Sequence, residues 1–266
     1  MMDAAATPAR HRDTRAILTG GAQGLGLAIG LRLAAEGCTR ILVAGRDEAK
    51  GAAAVAELAA AGAEARFVRA DLGRVEDCFA LVDAAAWMGG ANALVNAAAA
   101  CDRGGLLDTT PAIWAKLMDT NARGPFFVMQ RFAEAAIARG EPGSVVNILS
   151  MVIHCGQSFL APYTASKAAL AALTRNLAQA HRRDRLRFNG IACGWMATPG
   201  EDATQRRFHG AGDDWLAKAE AAQPFGQLVH PDEVAGLATY LLAPESGVMT
   251  GAVIDYDQNV AGAYPE

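Results

Sequence analysis

A chain of 266 residues, 52% hydrophobic and 20% charged, has the composition of a compact globule with room for a substantial core. Its formal net charge of -4 and its lack of a long Lys/Arg stripe argue against nucleic acid or a membrane as partner, and no apolar run reaches the ~18 residues of a spanning helix. The five cysteines (Cys38, Cys78, Cys101, Cys155, Cys193) are odd in number and contain no C-x-x-C pair, which speaks against a disulfide framework or a zinc site and fits a reducing cytoplasm.

Residues 1–14 are polar and basic, without the apolar core of a secretory signal, and are expected to form a flexible tail ahead of one domain over 15–266. From there β-branched runs alternate with Ala-rich stretches of helical length, the pattern of repeated βαβ units around a parallel sheet. Strands are predicted at 16–18, 40–44, 65–69, 93–96, 144–149, 187–192 and 252–256. Helices are predicted at 25–37, 47–61, 75–87, 111–139, 162–183 and 231–242, with Pro111, Pro162 and Pro231 each at a first turn that tolerates the missing N–H. The basic cluster Arg182, Arg183, Arg185 and Arg187 is read as a solvated helix end. The rhythm fails once, over 198–227, where Gly200, Gly210, Gly212, Pro224 and Gly226 lie among charged residues; a connection this long is expected to be a substrate lid.

The first strand runs into Thr19-Gly20-Gly21-Ala22-Gln23-Gly24-Leu25-Gly26 and then a helix. Glycines at such a junction let backbone approach a pyrophosphate at a helix N-terminus, although T-G-x-x-x-G-x-G departs from the G-x-G-x-x-G fingerprint. Further along, Tyr163-Thr164-Ala165-Ser166-Lys167 puts a phenol and an ammonium on one helix face. Ser150 lies thirteen residues upstream at a strand end, and Asn121 sits in Asn121-Ala122-Arg123-Gly124 on a long helix.

These motifs together resemble the short-chain dehydrogenase/reductase family, over essentially all of 15–257. The resemblance implies a single doubly wound (Rossmann-type) α/β domain, a parallel seven-stranded sheet flanked by helices, with Asn121, Ser150, Tyr163 and Lys167 as catalytic tetrad. It implies dinucleotide contacts from Gly20, Gln23, Gly24, Leu25 and Gly26. Asp71, with Leu72 beside it, corresponds to the family's cap on the adenine. Leu94-Val95-Asn96-Ala97-Ala98-Ala99 is similar to the family's L-V-N-x-A-G, which places Asn96, Ala97 and Ala98 along the cofactor, Ala99 replacing the usual glycine. Asn189 through Pro199 is similar to N-x-I-x-P-G-W-x-x-T-P, which puts Gly194, Met196 and Thr198 at the nicotinamide half, with Cys193 where proline is usual.

The implied reaction is hydride transfer between a nicotinamide and a secondary alcohol or carbonyl, with Tyr163 moving the hydroxyl proton, Ser150 bonding the substrate oxygen, Lys167 holding the ribose and Asn121 holding a relay water. Free tyrosine has a pKa of about 10. A positive charge roughly 4 Å away at an effective dielectric near 20 is worth about 4 kcal/mol, so Lys167, assisted by the positive ring of the oxidised cofactor, is expected to bring Tyr163 toward neutrality. No metal is expected, since His154, His181, His209 and His230 have no ligand spacing.

The second strand ends Val43-Ala44-Gly45-Arg46, with no carboxylate to accept ribose hydroxyls and an arginine suited to a 2′-phosphate, which favours NADP(H) over NAD(H). Gln23, where many NADP-using members carry a basic residue, and Asp47, which could turn to a ribose, count on the other side. Two rival readings are a catalytically silent dinucleotide-binding member of the same fold, regulatory or structural, and an epimerase or dehydratase; the first would typically lack Tyr or Lys, the second would carry T-G-x-x-G-x-x-G and a larger C-terminal domain. The expected partners are a small-molecule alcohol or carbonyl substrate, with polyols and sugars, small ketones, hydroxysteroids and acyl-carrier-linked ketones all open, and further copies of the chain, a homotetramer or a dimer, packed through the Ala-rich helices at 111–139 and 162–183.

Overall fold

The computed structural model of the chain describes residues 9–263. The first half alternates β1 (Arg15–Thr19), α1 (Gly24–Ala35), β2 (Arg40–Gly45), α2 (Glu48–Ala60), β3 (Glu64–Arg69), α3 (Val75–Asp83) and β4 (Ala93–Asn96). The second runs α4 (Pro111–Met118), α5 (Gly124–Arg139), β5 (Gly143–Ser150), α6 (Ala161–His181) and β6 (Leu186–Cys193). It closes with α7 (Pro199–His209), α8 (Trp215–Ala221), α9 (Pro231–Leu242) and β7 (Val253–Tyr256). All seven strands are parallel, in the order β3-β2-β1-β4-β5-β6-β7. The chain reverses direction across the sheet between β1 and β4, and a crevice opens there at the carboxyl ends of the strands.

Period-two alternation splits the core into two apolar layers. Ile17, Leu42 and Leu94 point to the layer holding Phe132 and Phe188, while Leu18, Val43 and Val95 point to the layer holding Ile29, Leu33, Val234 and Leu241. Both faces are covered, so the strands are near-continuous apolar runs. No helix among the described residues is long and apolar enough to cross a membrane.

Three predicted elements differ from what forms. The helix predicted over 111–139 is interrupted by a π-turn at Asp119–Arg123, where Gly124 donates back to Asp119. Pro125 has no N–H to offer the Asn121 carbonyl, and a Cβ on Gly124 would collide with the Leu72 carbonyl oxygen, so the chain needs both the break and the glycine here. The helix predicted over 75–87 ends at Asp83 and tightens into a 3₁₀ turn over Ala84–Met88. The stretch 198–227 is not irregular, for it contains α7 and α8. Thr198 caps α7 by accepting from the Glu201 N–H at 3.0 Å, and Pro199 follows it. Thr198-Pro199 with Glu201 is a helix-start signature that was present in the sequence.

The tail expected over 1–14 is corrected for its last part, residues 1–8 lying outside the described residues. Arg10 to Thr14 are docked. The Arg10 guanidinium donates to both oxygens of Glu36 at 2.7 and 2.8 Å and to Thr239 Oγ1 at 3.0 Å. His11 is fully buried, its Nε2 3.1 Å from the Thr239 carbonyl. The cause is the buried carboxylate at the end of α1, which needs more than Arg32 to satisfy it. Burial works against the Glu36 charge, but hydrogen bonds from Arg10 and Arg32 outweigh it and hold the carboxyl below its ordinary range. A carboxyl whose folded pKa is depressed contributes stability that is present above the unfolded pKa and lost as pH falls through the folded one. Arg10→Ala should therefore lower stability by about 1–3 kcal/mol at neutral pH, the lower part of the buried-pair range because Arg10 is partly exposed and Arg32 remains. Denaturant titrations should show the gap to wild type narrowing below the ordinary glutamate range; a gap independent of pH would refute the account.

Candidate active site

The crevice at the reversal is a cleft of about 1030 Å³. At its first wall, Gly20 has φ +67°, and a Cβ there would stand 2.7 Å from both Cα and N of Ala98. A Cβ on Gly26 would collide with the Gly20 carbonyl oxygen. The turn can fold against itself and against the loop after β4 only as glycine. The first turn of α1 has no side-chain cap and no acidic residue, so its N–H groups at Gly24, Leu25 and Gly26 open into the cleft. Such a cradle fits the pyrophosphate of a dinucleotide.

Beyond the turn, Arg46, just before the α2 cap, and Lys50, in the first turn of α2, line the same wall. Asp47 lines the same wall, and its Oδ1 caps α2 by accepting from the Lys50 N–H at 3.0 Å. Lys50 Nζ donates to Gln23 Oε1 at 2.7 Å. Asp71 and Leu72 line the cleft, one Asp71 oxygen accepting from the Gly73 N–H at 3.0 Å.

The floor is built by β5 and α6. Ser150, the last residue of β5, lines the cleft together with Tyr163, its Oγ accepting from the Val152 N–H at 3.4 Å. Lys167, one turn along α6, is buried, with Nζ donating to the Ile148 carbonyl at 2.7 Å and lying 5.8 Å from the Tyr163 ring centroid. Burial pushes the lysine down to about 8. Burial also pushes the Tyr163 phenol above its ordinary value, with the Cys101 thiol adding to the rise and the Ser150 hydroxyl opposing it. Without the positive ring of an oxidised cofactor, the protein's own groups leave Tyr163 above its ordinary value. Both side chains lose hydration together, and that cost exceeds their mutual help.

The description "Enoyl-(Acyl carrier protein) reductase" belongs to a family model that matches residues 20–259. Gluconate 5-dehydrogenase of Gluconobacter oxydans is 33% identical over 253 residues, covering 92% of this chain and 94% of that protein. Galactitol 2-dehydrogenase of Agrobacterium fabrum is 29% identical over 255 residues, covering 93% and 97%. A crystal structure of a single-substitution variant of actinorhodin polyketide ketoreductase with NADPH superposes with a TM-score of 0.86 at 30% identity, covering 95% of this chain and 99% of that one. The chain belongs to the short-chain dehydrogenase/reductase family. It is an oxidoreductase of that family.

Of the residues expected from the family motifs, Gly20, Gln23, Gly24, Leu25, Gly26, Arg46, Asp71, Leu72, Ala97, Ala98, Ser150, Tyr163, Lys167, Gly194, Met196 and Thr198 all face the one cleft. Two do not. Asn96, expected along the cofactor, is buried beneath the cleft, where its Nδ2 donates to Asn147 Oδ1 at 2.8 Å and Asn147 Nδ2 donates to Thr174 Oγ1 at 2.9 Å. The pleat decides this, for as the last residue of β4 its side chain goes inward and ties the strand to β5 and α6. Asn121, expected to hold a relay water, has its amide fully engaged: Oδ1 accepts from the Ala100 N–H at 2.8 Å, and Nδ2 donates to the Ala100 carbonyl at 2.8 Å and to Ser166 Oγ at 3.0 Å. Its side chain is a clamp on the loop after β4.

Several cleft residues lie outside the sequence motifs. Lys50 carried one signal, its nearness in sequence to Arg46. Cys101, Arg103, Gln157, Phe159 and Asn259 carried none, since loops bring them in from separate parts of the chain. Cys193 is buried, and burial pushes its thiol up to about 12, which agrees with packing and not with nucleophilic chemistry. Asn121→Leu should leave both Ala100 backbone groups without partners and cost about 1–3 kcal/mol of stability, read as a fall in the denaturation midpoint. An unchanged midpoint would show that the clamp is not needed.

Proposed function

We propose that the protein interconverts a polar secondary alcohol and its ketone with NADP(H), using Ser150, Tyr163 and Lys167 as its proton-handling groups. The observation that carries this reading is that these three side chains meet on the floor of the same cleft whose wall is the glycine turn. Gly20, Gly24 and Gly26 with the first turn of α1 would hold the pyrophosphate, Asp71 the adenine, and Lys167 the nicotinamide ribose. When bound, the nicotinamide supplies the hydride acceptor or donor and, when oxidised, a positive charge beside the phenol. Ser150 orients the substrate oxygen and stabilises charge developing on it. Tyr163 takes the hydroxyl proton in oxidation and returns it in reduction. Lys167, held by the Ile148 carbonyl beside Tyr163, would keep its ammonium next to the phenol.

The catalytically silent alternative would lack this assembly, and each of its parts is present. Tyr163→Phe should reduce turnover by about 10²–10⁴-fold and leave dinucleotide affinity within a few-fold. Retention of more than about a tenth of wild-type turnover would remove Tyr163 from the role.

The choice of NADP(H) rests on Arg46 and Lys50 lining the wall while Asp47 is held as a helix cap. Arg46→Ala should lower kcat/KM for NADP(H) by about tenfold or more, the worth of a charge-assisted contact, and affect NAD(H) little. A wild type that prefers NAD(H) would overturn the choice. A polyol or sugar-derived substrate is supported by the amide side chains at the substrate end and by the relatives named for galactitol and gluconate. The segment 198–227, through α7 and α8, is its cover, and the free cysteines suit a cytoplasmic setting.

Assembly is supported by an apolar groove of about 660 Å³ between the α4–α5 break and α6, lined by Met118, Phe126, Phe127, Ala169, Ala172 and Leu173. A homotetramer, or at least a dimer, through this face should appear in light scattering at micromolar concentration; a monomeric mass would contradict it.

A further inference from the structure

At the substrate end of the cleft the Arg103 guanidinium is held in an arrangement that leaves its charge unanswered. It lies between two rings, 5.3 Å from the centroid of Phe159 and 5.6 Å from that of Phe208. One edge is fixed: Nη1 donates to the Cys101 carbonyl at 3.2 Å and contacts Cys101 Sγ at 3.1 Å. The other edge, the Nε and Nη2 pair, converges on a single atom, His209 Nε2, at 3.2 and 3.0 Å. Arginine only donates, so that imidazole nitrogen is an unprotonated acceptor. One neutral lone pair thus stands where the fork geometry suits the two oxygens of a carboxylate.

No carboxylate among the described residues forms an ion pair with Arg103. The two acids that line this end are engaged elsewhere: Glu201 Oε1 accepts from Trp195 Nε1 at 2.8 Å and from Gln205 Nε2 at 2.7 Å, and Asp257 accepts from the Gln258 N–H at 2.8 Å. The fork is also fixed relative to the chemistry. Gly104 donates to the Phe159 carbonyl at 2.8 Å and accepts from the Ala161 N–H at 3.0 Å, which pins the residue after Arg103 to the start of the helix that carries Tyr163.

We propose that Arg103 anchors a carboxylate of the substrate, so that the alcohol oxidised at Tyr163 belongs to a hydroxy acid. This rests on the dehydrogenase reading above. The carboxylate displaces His209 from the Nε and Nη2 edge and takes no part in bond changes. The carbinol carbon loses a hydride to the oxidised nicotinamide, the hydroxyl loses its proton to Tyr163, and a keto acid results. Gln157, Gln205 and Gln223 line the same end and suit further hydroxyls along the chain of that acid, as in an aldonate.

The test is steady-state oxidation by the purified protein of aldonates and of alditols of matched length and configuration, with NAD and NADP in turn. The wild type should favour the acids in kcat/KM by on the order of tenfold or more, the value of a charge-assisted fork. Arg103→Gln should collapse the acid-to-alcohol ratio through KM, with Arg103→Lys intermediate. His209→Ala, which removes only the displaced acceptor, should leave the acid KM unchanged or lower. If the wild type shows no preference for acids, or if Arg103→Gln and His209→Ala depress acids and alcohols alike, Arg103 is only a latch on α7 and the proposal is overturned while the dehydrogenase reading stands. Absence of turnover on every acid, alcohol and corresponding ketone would remove both.

Discussion

The contact on which the rest of the site depends is the approach of Gly20 to Ala98 where the sheet reverses. It leaves no room for a Cβ, and it locks the glycine turn to the loop after β4. The loop passes this constraint on: Ala100 is clamped in both directions by Asn121, Asn121 donates to Ser166 Oγ, and Ser166 Oγ donates to the Tyr163 carbonyl at 2.7 Å. A continuous chain of backbone contact and buried hydrogen bonds therefore runs from the glycine turn to the helix that carries Tyr163. Buried polar networks of this kind are costly to leave half made, so the parts hold one relative position.

The π-turn at Asp119–Arg123 belongs to the same device. An unbroken helix would carry Asn121 past the loop, and the extra residue in the turn lets its amide meet Ala100 while α5 starts beside Leu72. Proline at 125 and glycine at 124 make that break cheap, the one by lacking an N–H and the other by lacking a Cβ.

Electrostatically the cleft has two ends. Arg46 and Lys50 make one end cationic. At the floor, burial disfavours the charged form of both groups, raising the phenol and lowering the lysine to about 8. A positive charge arriving beside them shifts that balance toward the phenolate, so the reactive form is favoured when an oxidised cofactor is in place. The other end is mostly amide and aromatic, with Arg103 as its one guanidinium.

Much of this was legible in the sequence because it is local. Strand positions followed from β-branched runs, helix starts from Pro111, Pro162 and Pro231, the turn from its glycines, and the Tyr163–Lys167 pair from i, i+4 spacing. These are properties of a few neighbouring residues. Asn96 and Asn121 belonged to recognisable motifs, yet which way each amide faced depended on the pleat of β4 and on a helix break, and those are set by partners far along the chain. The sign of the Tyr163 shift likewise followed from how deeply two groups were buried, a quantity no pairwise spacing contains. The docking of Arg10 was decided by a buried carboxylate at Glu36 and a hydroxyl at Thr239, and the placing of Arg103 by a bridge to the start of α6. The sequence by itself determined the fold and the reaction class, because those signals are periodic or contiguous. Only the tertiary structure decided which side chains reach the cleft and with what charge, because burial and long-range hydrogen bonds exist only once the layers are packed.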